Sequence, residues 1–138
     1  PISLVKVYVH NGVGGTSAGL VDRTEEVLHG YTTPSGEKVP GWKAAGVVVE
    51  VYAASEVALN ITASLTPEPG YVEADLIAAA EAVLADYLRS LDIGESYLEA
   101  EAVFRVKSIP GIKNITGLPS DQTPGADEKL MPGTITIT

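Results

Sequence analysis

The chain has 138 residues, 45% of them hydrophobic, with 18 acidic against 9 basic side chains for a formal charge of −9, and no cysteine. A chain of this length buries roughly two-thirds of the surface its unfolded form exposes, so it can fold without disulfides or a metal. The acidic balance, with no run of lysine or arginine, argues against nucleic acid and anionic membrane as partners, because both are held by basic side chains that displace counterions.

From Ile2 to His10 the residues are β-branched and aromatic and alternate, which predicts a strand with Leu4, Lys6, Tyr8 and His10 on one face and Val5, Val7 and Val9 on the other. Asn11-Gly12-Val13-Gly14-Gly15 breaks it. Thr16 or Ser17 is placed to cap a helix whose Leu20, Val21, Thr24, Val27 and Leu28 share a face, and Gly30 is placed to end it. Residues 31–42 hold two prolines and two glycines and read as a surface excursion, with a short hairpin turning at Pro34-Ser35-Gly36.

Two further strands are predicted, Gly46–Ala53 and Val57–Leu65, the second burying its Leu59, Ile61 and Ala63 face. Only Ala54-Ser55-Glu56 separates them, which favours an antiparallel hairpin. After the Pro67–Gly70 break, apolar residues from Val72 to Leu91 recur at helical spacing for about five turns, ending at Gly94. Ser96-Tyr97-Leu98-Glu99 has the capping-box pattern, predicting a helix to Ser108, although Ala102–Lys107 also alternates as a strand would. Ile112–Gly117 reads as a short strand and Leu118–Gly133 as a polar loop or partly ordered tail. Thr134–Thr138 alternates throughout and reads as an edge strand or as an arm pairing with another chain.

This order suits an α+β fold: a mixed or antiparallel sheet with two to three helices packed on it, in a ferredoxin-like β-α-β-β-α-(α)-β sequence. The expected organisation is one domain over residues 1–117, with a subdivision near 42–54, followed by a polar loop and terminal strand over 118–138. Pro1 opens without methionine inside a strand pattern, which reads as a fragment of a longer protein. No apolar stretch approaches the roughly 20 residues that span a bilayer, so no membrane insertion is expected.

Few residues point to chemistry. Gly12, Gly14, Gly15, Thr16 and Ser17 lie between a strand and a helix, where backbone donors can cradle an anion, but the loop lacks the Gly-Lys-Ser/Thr ending of a phosphate loop and has serine where the dinucleotide pattern needs glycine. It reads first as a flexible turn, with a small-ligand or anion contact as the alternative. His10 and His29 are the only histidines and show no ligand spacing, and His29 suits the negative end of its helix. Asp92, Glu95, Glu99 and Glu101 read as a solvated helix junction, and no serine sits in a nucleophile elbow. No catalytic residue, metal site or cofactor is therefore expected. Trp42, beside Pro40 and Gly41, reads about equally as a functional residue, an exposed anchor for a partner or a lid over the hairpin, and as an ordinary partly buried tryptophan.

From Gly41 to Thr138 the chain resembles the C-terminal part of the baseplate J-like family of contractile-tailed phages, prophages and related injection machines. The resemblance lies in a string of elements: the strands Gly46–Ala53 and Val57–Leu65, Pro69-Gly70, the helix ending Tyr87-Leu88-Arg89-Ser90-Leu91-Asp92-Ile93-Gly94, and Ser96-Tyr97-Leu98. Ile109–Ile115 resembles the family's turn and short strand, with Ile112 where valine is common, and Pro132–Ile137 resembles its closing strand. Val5–Leu28 matches less specifically, and family members are generally longer. The resemblance implies a non-enzymatic building block, made in the bacterial cytoplasm and incorporated into a tail baseplate. It would contact other baseplate proteins and copies of itself in a symmetric assembly. The interfaces are expected on the excursion, at Tyr31 and Trp42, and on the tail, at Ile135 and Ile137.

Overall fold

The computed structural model describes residues 3–138; Pro1 and Ile2, and with them the predicted start of the first strand, lie outside the described residues. The chain divides into two compact units at Ala54/Ser55. Both are α+β.

In the first unit, β1 (Ser3–Val9) pairs in parallel with β4 (Val47–Ala53), and α1 (Ala18–His29) packs on β4 over the buried Val49 and Val51. Ser17 caps α1 as its side-chain oxygen accepts from the Leu20 N–H, and Gly30 ends the helix at φ +87°. The excursion forms the expected hairpin, β2 (Gly30–Thr32) antiparallel to β3 (Lys38–Pro40). Gly41 lies so close to the backbone of Leu28 and His29 that no side chain fits there.

In the second unit, β5 (Ser55–Pro67) is the centre of a three-stranded sheet, antiparallel to β6 (Ile112–Thr116) and parallel to β7 (Glu128–Ile137). Its alternation sends Ile61, Ala63 and Leu65 into the core and leaves Asn60, Thr62 and Ser64 in solvent. α2 (Glu73–Ser90) and α3 (Glu99–Lys107) contribute Leu76, Ala80, Leu84, Tyr87 and Leu88, with Ala102 and Val106, to the same core. α2 stops at Ser90, short of Gly94, which sits at φ +78° in the following turn.

Four expectations change. The Gly46–Ala53/Val57–Leu65 hairpin does not form, because Ala54-Ser55-Glu56 offers no residue suited to the positive φ of a tight hairpin turn. Instead the Ala54 N–H bonds Val9 O, continuing the β1–β4 ladder, and the Ser55 N–H bonds Asp127 O, opening the β5–β7 ladder. Among the described residues, the ferredoxin-like single sheet is therefore replaced by three separate ones. Residues 99–107 are helical, but the capping box is not made: Ser96 Oγ faces Thr123 Oγ1 at 3.0 Å, and the Glu99 N–H bonds Asp121 Oδ1 at 2.9 Å. Finally, the closing strand starts at Glu128 rather than Thr134. Leu130 and Met131 are buried, Pro132 stays in register with Leu59, and a register shift then sets Gly133 and Thr134 opposite Asn60.

Lys129 is the buried charged residue of that strand, at 4% exposure. Its ammonium donates to Arg89 O at 3.0 Å and to Leu91 O, satisfying carbonyls that the end of α2 leaves without helical partners.

Candidate interaction surface

Trp42 follows the β2–β3 hairpin and is 84% exposed. Its backbone is fixed although its ring is free: Gly41 is wedged against the end of α1, and the Lys43 N–H donates to Leu28 O at 3.0 Å. Such an anchor loses little further entropy when a partner covers it. Tyr31, opposite Val39 in the hairpin, is half-buried beneath the Arg23 guanidinium, 5.0 Å from its ring centroid. Arg23 also bonds Glu26 at 2.7 Å, which raises its pKa above the ordinary value. Tyr31 is thus committed to a local stack, while Trp42 is available.

The 12–17 loop is closed on itself. Asn11 Oδ1 accepts from the Val13 and Gly14 N–H groups at 3.0 and 2.8 Å, Asn11 Nδ2 donates to Gly14 O, and His10 Nδ1 accepts from the Gly12 N–H at 2.9 Å. Thr16 Oγ1 accepts from the Asn11 N–H, and Ser17 is the helix cap. An anion would have to displace the Asn11 carboxamide to reach these donors. His29 Nε2 lies 3.0 Å from Val49 O, and since a carbonyl only accepts, the ring donates and ties the end of α1 to β4.

In the second unit, Ile137 is buried at 5% exposure and Ile135 is packed against the same core. The Thr138 N–H donates to Ala63 O and the Leu65 N–H to Thr138 O, so of the two readings, edge strand or arm, the segment is an edge strand of the fold with its apolar side chains turned inward. Sequence reasoning singled out no role for Phe104. It lies on α3 with 68% of its surface exposed, whereas the neighbouring Ala102 and Val106 are fully buried. The chain's one tryptophan and one phenylalanine are thus both in solvent, and the aromatic core is built from Tyr87 and Tyr97, 5.7 Å apart.

Tyr97 is fully buried, and its hydroxyl has no hydrogen-bond partner among the described residues. Desolvation, helped by the nearby Tyr87, Glu99 and Asp121, pushes its pKa up to about 12.

Residues 59–138 match the baseplate J-like protein C-terminal domain. The chain belongs to that family. The matched segment runs from within β5 through both helices to the end of β7, which is nearly all of the second unit. Among curated proteins none matches the chain. Membership in the baseplate J-like C-terminal family carries a structural role in a phage tail baseplate. Among the described residues, no helix is long and apolar enough to cross a membrane.

Proposed function

We propose that this baseplate J-like domain is a non-catalytic building block of a contractile-tail baseplate, phage or prophage, that docks on neighbouring wedge subunits during tail assembly. The observation that carries the reading is the family match over residues 59–138, which covers nearly all of the second unit. The exposed Trp42 and Phe104 support it, because large aromatics in solvent supply the buried anchors of interfaces. So does charge: residues 55–138 hold 13 of the 18 acidic and 5 of the 9 basic side chains, a surface that steers toward basic partners. In this reading the chain is made in the bacterial cytoplasm, assembles symmetrically in the particle and needs no cofactor.

The test is mass spectrometry of sedimented tail-like particles from the source cells. Peptides of the chain at a fixed ratio to sheath and tube are expected, and their absence from particles holding the other baseplate proteins would overturn the reading. Trp42→Ala and Phe104→Ala chains are expected to enter particles less well while folding normally. The anion-loop alternative gains no support from a loop whose donors are occupied by His10 and Asn11.

A further inference from the structure

An asparagine carboxamide can be attacked by the backbone nitrogen of the next residue, and that residue sets how easily the ring closes. Of the three asparagines in the chain, Asn60 and Asn114 are followed by isoleucine, whose branched side chain crowds the closure, and Asn11 is followed by Gly12. Asn60 and Asn114 also lie in the paired strands β5 and β6, whereas residues 11–13 are exposed in the loop between β1 and α1. Gly12 stands at φ +83° with open space where a side chain would be, so nothing of its own obstructs its nitrogen. Around this dipeptide the loop gathers the groups that the reaction uses. His10 Nδ1 accepts from the Gly12 N–H at 2.9 Å, and since an N–H only donates, Nδ1 carries no proton. The Val13 and Gly14 N–H groups donate to Asn11 Oδ1 at 3.0 and 2.8 Å, and Asn11 Nδ2 donates to Gly14 O at 2.8 Å.

We propose that Asn11-Gly12 is a self-modifying site, at which the folded chain converts Asn11 through a succinimide into aspartate or isoaspartate with His10 as the base. His10 Nδ1 takes the proton of the Gly12 N–H it already holds, within the reach a general base needs. The electron pair left on that nitrogen forms a bond to Asn11 Cγ, and the carbonyl pair moves onto Oδ1. The Val13 and Gly14 N–H groups sit at oxyanion-hole distance from that oxygen. When the carbonyl re-forms, the bond from Cγ to Nδ2 breaks, and the departing nitrogen takes the proton from His10 and leaves as ammonia. Water then adds to either carbonyl of the imide and returns a proton to the ring nitrogen, and the exposure of the loop gives it access. Addition at the side-chain carbonyl yields aspartate, and addition at the main-chain carbonyl yields isoaspartate.

The fold contributes what an unfolded Asn-Gly lacks. It holds base, nucleophile and polarised carbonyl together, which removes the entropy of assembling them. Both products add a negative charge to the loop and take away the Nδ2 donor to Gly14 O. Isoaspartate also routes the main chain through Cβ, lengthening the link from β1 to α1. The inference concerns the first unit and is independent of the baseplate reading.

The test incubates the full chain at one pH, folded in buffer and unfolded in guanidinium chloride, and follows residue 11 by peptide mapping. The folded chain is expected to lose the Asn11 amide at least about tenfold faster than the unfolded one, as a positioned base gives. A folded rate equal to or below the unfolded rate overturns the proposal, because the loop's hydrogen bonds then only restrain the carboxamide. This comparison uses wild type alone, so it stands whatever a substitution does to the loop. His10→Gln offers an oxygen that accepts the Gly12 N–H but cannot carry its proton away, and its folded chain is expected to fall to the unfolded rate. A variant as fast as wild type removes His10 as the base and with it the proposal. Hydroxylamine, which opens an imide, is expected to split the aged folded chain between residues 11 and 12. Aspartate formed with no isoaspartate and no such cleavage shows direct hydrolysis without a ring, and also overturns it.

Discussion

Residues 55–138 and residues 1–54 solve the same problem with unequal means. The larger unit buries a continuous apolar cluster from Ile61 to Ile137, with two helices on one face of its sheet and threonine, asparagine and serine on the other. The smaller unit has one helix, none of whose residues is buried, on a two-stranded parallel sheet that leaves leucine, valine and tyrosine in water. The larger unit is finished as a fold and acidic outside, the smaller one nearly neutral and short of a second layer.

The contrast can be broken most directly in the core. Leu84→Ala, at a fully buried position, is expected to cost about 3 kcal/mol in the 55–138 transition, while Val51→Ala costs the first unit only about 1 to 2 kcal/mol. Chemical denaturation followed by signals from each unit checks both, and equal losses would refute the contrast. Hydrogen exchange should agree, with β1 and β4 opening well before β5 in dilute protein.

Lys129→Met keeps the aliphatic stem and removes the ammonium. It is expected to cost about 2 kcal/mol, because the carbonyls of Arg89 and Leu91 lose a charged donor. A neutral result would mean that water replaces the ammonium.

Tyr97 makes the larger unit sensitive to alkali. Its folded pKa of about 12 stands above the ordinary 10, so between these values the unfolded chain has released a proton that the folded one still holds. Stability is complete below pH 10 and then falls by about 1.4 kcal/mol per pH unit until about 12. Tyr97→Phe removes that slope and, since the hydroxyl is unpartnered, is expected to be neutral or stabilising by up to about 1 kcal/mol at pH 7. Denaturation curves of both proteins across this range measure the difference.

Smaller effects sharpen the account of α3. Asp121→Ala is expected to cost about 1 kcal/mol, the usual worth of a carboxylate cap, and Ser96→Ala only a few tenths. The reverse order in melting experiments would restore the capping box. Trp42→Ala and Phe104→Ala should change stability by less than about 0.5 kcal/mol, since neither ring is buried.

These residues also show what sequence alone can tell. Helix spacing placed α1 and α2 well, and turn chemistry placed the hairpin at Pro34–Gly36, because both signals are local. Alternation told which face of β5 is buried but not which strand lies beside it, so the parallel partners β1 for β4 and β7 for β5 were invisible. The capping box failed because Asp121, 22 residues away, supplies the cap that Ser96 was expected to provide. Glu128–Gly133 read as loop because its lysine and proline are poor strand residues, and only the end of α2 gives Lys129 a reason to be buried. Of the interface candidates, Trp42 drew attention by its loop, and its ring is exposed. The burial of Ile137 was not legible, since alternating threonine and isoleucine suits an inward-facing strand as well as an interface. Phe104 gave no signal, because nothing in its helix says which side meets solvent.

The pairing of β5 with β7 has a consequence for the order in which the protein is made. Thr134 bonds Asn60 across 74 intervening steps of the chain, and both helices and β6 lie between the two strands in sequence. During synthesis β5 emerges early and waits with one edge open until β7 has left the ribosome, and contacts this distant in sequence close slowly. A chain cut short before Glu128 lacks the strand that covers this edge and the lysine that seals α2. Such a product is expected to be less stable and more open to proteolysis than a chain that carries β7.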